Sequence, residues 1–328
     1  MLLISTSLAV FITALSVKDR TRYKNDFVRI VPTHAADFVS KRQMNKNVSL
    51  VGVADNRIYL RDRLRNSLFA LNLDLQDSSS IVLSIPERSE ILIDSPYLYV
   101  QIGSEGYFQR RTLQSSRLDS VYRGLPGFTA IQPISDRTAV LRTVDMNQRK
   151  SVFVKSSRLD HEIDILEKQV DGILCTDGFL QYSKEYYRLI YTYRYRNQFI
   201  SLDTNLNVLL KGKTIDTTSL AKISVAEVDG KITMSKPPFV VNKGTWVDGA
   251  YLFVHSNLVA KNESADKFVK RSVIDVYSII DGSYRFSFYI DHINGSRMQN
   301  FRVRDGLLVA TFPGYIARYD IPKKYLAD

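Results

Sequence analysis

Short apolar runs recur along the chain, each closed by polar turn residues, and they follow a repeating order: strand, turn containing Asp, second strand, loop, third strand. The turn aspartates are Asp55, Asp94, Asp136, Asp177, Asp248 and Asp305. Gly follows three of them (Gly178, Gly249, Gly306) and Asn56 follows Asp55. Such dipeptides reach positive φ cheaply and so suit tight hairpins. Apolar strands flank each turn, for example Val51 and Val53 before Ile58, Tyr59 and Leu60, or Phe301 and Val303 before residues 307–310. A third strand follows in every unit, and fourth strands are assigned in five units, at residues 81–85, 118–122, 163–166, 206–210 and 284–290. Only the stretch 158–169 admits a helix, and it also reads as a strand.

The spacing of the aspartates sets the unit size. The first three intervals are 39, 42 and 41 residues, and the next two are 71 and 57, so those units must carry insertions. A four-stranded unit of about 40 residues is the size of a propeller blade. The sixth unit stops without a fourth strand, while an unpaired apolar run at 27–31 precedes the first. If that run completes the last blade, the ring closes and no sheet edge is left open. The pattern predicts an all-β, six-bladed β-propeller with its last blade closed by the N-terminal strand. Asp229-Gly230, within the longest interval, leaves a seventh blade open. The polar segment 255–271 reads as a long surface loop of the fifth blade.

Composition fits this picture. The chain has 328 residues, 45% of them hydrophobic, with 19 Tyr and 16 Phe, which suit pleated strands. A formal net charge of +11 favours solubility and would attract polyanions, but no basic run or motif of a nucleic-acid binder accompanies it, and none is expected as a partner. The one cysteine, Cys175, lies in an apolar run and reads as a buried thiol.

Leu2 to Val17 carry no charge and are mostly apolar. As a helix this segment would rise about 24 Å, slightly short of a hydrocarbon core. Lys18, Arg20, Arg22 and Lys24 follow it, and Ala14-Leu15-Ser16 has the small-x-small form of a cleavage site. The organisation expected is an apolar signal or membrane anchor over 1–17, a basic linker over 18–26 and a propeller domain over 27–328, held outside the bacterial cytoplasm in the cell envelope.

Candidate chemistry is sparse. The histidines His34, His161, His255 and His292 show no metal-ligand spacing, and no metal or other cofactor is expected. No nucleophile elbow, phosphate loop or dinucleotide fingerprint occurs. Asp291-His292-Ile293-Asn294-Gly295 brings a carboxylate, an imidazole and an amide together, but Asx residues with Gly make turns unaided. His34 and His255 are candidates to face the central channel. Tyr191, Tyr193 and Tyr195 alternate with Thr192 and Arg194, which would put three tyrosines on one strand face. That face serves either as a stacking surface for sugar or peptide, with Arg194 for anions, or as blade-to-blade packing.

The N-terminal apolar segment, residues 27–34, Val51-Gly52-Val53 with Ile58-Tyr59-Leu60, and Trp246-Val247-Asp248-Gly249-Ala250-Tyr251-Leu252-Phe253 carry a resemblance over nearly the whole chain. It resembles six-bladed propellers of the TolB/NHL/quinoprotein-like kind and, more closely, membrane-anchored propeller proteins of unassigned function from Bacteroidota. The resemblance implies a fold and an envelope location, and no catalytic residue to carry over. The expectation is a non-enzymatic binding or assembly module presenting its funnel or loop face to a protein, peptide or glycan. The alternative is a propeller enzyme of lyase, hydrolase or lactonase type, its site assembled from several blades at the channel mouth.

Overall fold

The structure, a computed structural model, describes residues 25–327; the expected anchor and most of the basic linker lie outside the described residues. Six four-stranded antiparallel sheets form the blades of a ring. Blades 1 to 5 span residues 48–81, 90–122, 128–163, 178–213 and 242–291, each running outward from its first strand to its fourth in chain order. Blade 6 takes three strands from residues 300–320 and its outermost strand, Asp37–Gln43, from the start of the chain. Its seams prove the closure. Six apolar clusters fill the six gaps between neighbouring blades, including the gap between blades 6 and 1, where Val309 and Ile316 pack with Leu50, Ile58, Leu60 and Leu71. Each fully buried Leu, Ile or Phe there contributes roughly 1.5–3 kcal/mol.

Turn chemistry places the hairpins. Asp55 and Asn56 are both left-handed (φ 50° and 56°), as are Asp305 and Gly306 (φ 52° and 82°), which is what a two-residue turn matching the strand twist requires. Asp229 and Gly230 form a third such turn, but it joins only the two-stranded hairpin Val225–Val228 and Lys231–Met234, so the described residues make no seventh blade.

Three expectations change. The closing strand is Asp37–Gln43, with Lys41 opposite Ala317 and Phe38 opposite Tyr319, and not the run at 27–31. An outermost strand needs ladder hydrogen bonds more than burial, and this one is mostly exposed and polar. Residues 25–31 instead form a strap across blade 5: Lys261 N–H donates to Phe27 O at 2.7 Å and Ser287 N–H to Ile30 O at 2.8 Å. The segment after Ser256 is accordingly more than a surface loop. Leu258, Val259 and Ala260 are buried, Phe27 packs beside them, and a short helix, Ala265–Phe268, follows. In blade 4 the phase shifts by one strand. Asp177-Gly178 opens the first strand, Gly178–Ser183, and the turn to the second falls at Lys184 to Tyr187, where Tyr187 takes the left-handed conformation. The stretch 158–169 holds the strand Arg158–Ile163 and no helix.

Candidate functional site

The first-to-second-strand turns of the blades gather at one end of the central channel. They enclose a cavity of about 230 Å³ whose charged lining is Asp94, Lys184, Glu185, Asp248, Arg304 and Asp305. Each comes from the end of a first strand or its turn, where a short polar sequence must leave the sheet. A second cleft of about 600 Å³ runs from this mouth over the seam between blades 6 and 1, sharing Arg304 and Asp305. Arg318 on its wall pairs with Asp74 at 3.0 Å and Asp320 at 3.2 Å.

The mouth is unevenly compensated. Lys184 Nζ lies 2.6 Å from Asp94 and donates to Ser95 O at 3.1 Å. Burial raises the Asp94 carboxyl above the usual range, and Lys184 opposes the shift. Among the described residues Asp248 has no basic partner at pairing distance. Its carboxyl accepts the Asp305 N–H at 2.8 Å, yet burial, with Asp305 and Glu185 nearby, pushes it up to about 6. The Glu185 carboxylate lies against Gly249: a Cβ there would sit 3.6 Å from Oε2. Asp248 and Glu185 therefore share this space with Arg304, whose charge opposes the rise at Asp248. Among the described residues no group of His, Cys, Asp and Glu forms a metal cage.

The residues singled out in the sequence lie elsewhere. His34 is exposed and left-handed (φ 58°), just ahead of the outermost strand of blade 6, with Nδ1 at 2.8 Å from Asp37 Oδ1. His255 is buried at the opposite end of blade 5 from the mouth. The two histidines do not meet. Tyr191 and Tyr193 are buried in the seam between blades 3 and 4. Tyr191 meets Phe153 and Tyr193 edge-on, both at 5.3 Å, and its hydroxyl donates to Thr176 O at 2.5 Å. Arg196 covers Tyr193 at 3.7 Å. Tyr195 lies beyond the strand, against Cys175 and Ala221, and Arg194 pairs with Asp177 at 2.8 Å while lying over Phe179. These rings are engaged in packing. Cys175 is buried, and Asn294 and Gly295 form a left-handed turn as expected. Nothing in the sequence marks the acidic mouth as a site, although its members Asp94, Asp248 and Asp305 stand out there as turn residues. Their convergence follows from closing the ring.

No protein-family model matches the chain, and no curated protein matches it. Solved structures do. A streptogramin B lyase is similar with a TM-score of 0.50 and 8% identity, over 88% of this chain and 100% of that one. A member of the DUF4221 family from Bacteroides vulgatus gives 0.50 and 11%, over 90% and 98%. BamB from Moraxella catarrhalis gives 0.43 and 11%, over 87% and 99%. The chain is a six-bladed β-propeller. At such identities the likeness bears on fold alone. No helix among the described residues is long and apolar enough to cross a membrane.

Proposed function

We propose that the protein is a non-enzymatic binding module of the bacterial envelope whose acidic mouth receives a basic group, a lysine or arginine side chain or an amino terminus, of a protein or peptide partner. The observation that carries this reading is Asp248: a mostly enclosed carboxylate beside Glu185, without a paired cation among the described residues, at the axis of the ring. A bound ammonium or guanidinium would replace the missing counter-charge and lower the cost of ionising Asp248. The neighbouring cleft continues outward from the mouth and offers a path for the adjoining chain. The envelope location rests on the apolar segment Leu2 to Val17, which would anchor or export the propeller.

An array of short peptides, each with one lysine or arginine, tests this by fluorescence anisotropy. A defined subset should bind, and D248N and E185Q should each weaken it at least about tenfold, one charge-assisted contact's worth. Failure of every basic peptide to bind, or equal binding by D248N, overturns the reading. A second reading, an acid–base enzyme, draws on the same raised carboxyl beside a second carboxylate. Turnover of a small substrate that D248N abolishes would favour it.

A further inference from the structure

The strap over residues 25–31 alternates as a strand does. Phe27 and Arg29 are buried, while Val28 and Ile30, with Val31 after them, face outward at 58%, 59% and 41% exposure. The strap is fixed in place. Phe27 O accepts the Lys261 N–H, Ile30 O accepts the Ser287 N–H, the Ile30 N–H donates to the Tyr284 hydroxyl at 3.0 Å, and Arg29 is clamped by Asp275. The apolar face continues onto blade 6. The Tyr325 hydroxyl donates to Thr33 O at 2.9 Å, and the outermost strand that follows exposes Phe38 and Val39. Phe38 meets Tyr319 edge-on at 5.6 Å, at the outer end of the seam between blades 5 and 6.

Single exposed apolar residues are ordinary, but several turned outward from one rigid edge mark a contact surface. Where the chain enters the ring decides what covers it. The Asn25 N–H donates to Val259 O at 2.8 Å, so the chain arrives at blade 5. Residues 18–24 separate that point from the apolar segment Leu2 to Val17. This connection spans at most about 25 Å when fully extended. Two four-stranded blades facing each other across the ring already measure about 28 Å, before the channel between them is added. A membrane holding the apolar segment would therefore lie beside blade 5 and could not lie across the ring from it. Charge agrees: the connection carries Lys18, Arg20, Arg22 and Lys24 against Asp19, and Arg285 is exposed on the strand that the strap covers. We infer that the outward face of the strap, with Phe38 and Val39 beside it, rests on the surface of a phospholipid bilayer that carries anionic lipid, an inference that stands on the membrane reading of Leu2 to Val17 given above.

The arrangement suits that surface. Interfacial binding grows with the apolar area buried and with attraction to anionic lipid, and here both come from one stretch of chain. A second copy of the protein would cover the apolar face but would leave the basic connection without a counter-charge. The contact lies on the outer circumference of blades 5 and 6, whereas the acidic mouth lies at the ring axis. A propeller resting on lipid in this way keeps its mouth open to a partner.

The full chain is reconstituted into vesicles of phosphatidylcholine and phosphatidylglycerol, with a fluorophore on V28C or, as a control, on V121C. Val121 is exposed on the outermost strand of blade 2, across the ring from blade 5, and the buried Cys175 escapes the label. A lipid nitroxide placed just below the headgroups should quench the V28C label by at least about half and the V121C label hardly at all, since an interfacial side chain sits about 5–10 Å into the headgroup boundary. Adding I30N and V31N to V28C should remove most of that quenching while the chain still floats with the vesicles; both side chains are exposed, and folding does not need them. Flotation without quenching of V28C, equal quenching of both labels, or quenching that survives I30N/V31N overturns this inference alone. Emission that ignores the nitroxide but changes with protein density in the vesicles assigns the face to a second copy and also overturns it. A chain that does not float removes the membrane reading of Leu2 to Val17, and this inference with it.

Discussion

Replacing Asp275 by Asn should loosen the hold of the N-terminal strap on blade 5, and the structure gives the size of the effect. Arg29 has all five N–H donors engaged. Its Nε and Nη2 reach the two oxygens of Asp275 at 2.7 and 3.1 Å, Nη1 reaches Leu258 O at 3.0 Å and Glu263, and Nη2 also reaches Ser256 Oγ at 3.0 Å. Neither partner sees water: the side-chain exposures of Arg29 and Asp275 are 0% and 3%. Removing one member of such a pair leaves an uncompensated buried charge and costs about 3–5 kcal/mol. Glu263 still faces Arg29 in D275N, so the lower end of that range applies, about 3 kcal/mol. In a domain of this size that is roughly a 6–10 °C fall in melting temperature. Trp246, the one tryptophan, reports it by fluorescence, because its indole donates to Val303 O across the seam between blades 5 and 6. The control is R29M/D275L, in which both charges go. Apolar replacement of a whole buried pair is often close to neutral, so the double variant should be more stable than D275N. A loss below about 1 kcal/mol in D275N, or a double variant as weak as both single ones added, would refute the coupling.

Three further outcomes follow from other sites. Asp248 is held up to about 6 by burial and neighbouring carboxylates, against about 3.9 in an unfolded chain, so the stability its protonated form lends is complete below about pH 4 and lost as pH rises through about 6. D248N cannot ionise; urea unfolding should find it about 1–2 kcal/mol more stable than wild type at pH 7.5, screening included, with the gap closing near pH 4. In G178A the new methyl carbon would lie 2.3 Å from the Thr192 carbonyl oxygen, a backbone atom that cannot turn aside, and thermal unfolding should show a loss of about 2–3 kcal/mol. Y191F leaves the buried Thr176 carbonyl without its donor and should lower stability by about 1–2 kcal/mol, while peptide binding at the mouth, measured by anisotropy, stays at the wild-type level.

Most of the ring was legible in the sequence because it is built from local signals repeated. Asp55-Asn56, Asp248-Gly249 and Asp305-Gly306 mark hairpins by themselves, since few residues take positive φ without strain. Where the turn uses an ordinary residue, the signal fails. The blade 4 turn runs through Tyr187, which no propensity points to, and Asp177-Gly178 opens a strand instead, so the alternation of Tyr191 and Tyr193 reads as a strand but not as the second strand of its blade. The closing strand hid for the opposite reason. Asp37–Gln43 is polar because its place is at the rim, whereas Phe27 and its apolar neighbours looked like a strand and are a strap fastened by Arg29. The candidate sites were harder still. Asp94, Lys184, Asp248 and Asp305 lie far apart in sequence and meet only because first strands line the axis.

The charge of the mouth also bears on how a partner would approach. The overall charge of +11 says only that anions are drawn to the molecule as a whole. Locally the balance is reversed: the mouth carries Asp94, Glu185, Asp248 and Asp305 against Lys184 and Arg304. The geometry keeps it so. Strands in a blade alternate direction, so the turn after a first strand and the loop after a fourth lie at opposite ends, and side chains in the second kind of connection cannot neutralise those in the first. A basic segment would therefore be drawn to the mouth against the net charge of the molecule, and added salt should weaken its binding. D248N, which removes one of the four carboxylates, should flatten that salt dependence; an unchanged slope would mean that the charge of the mouth plays no part in recognition.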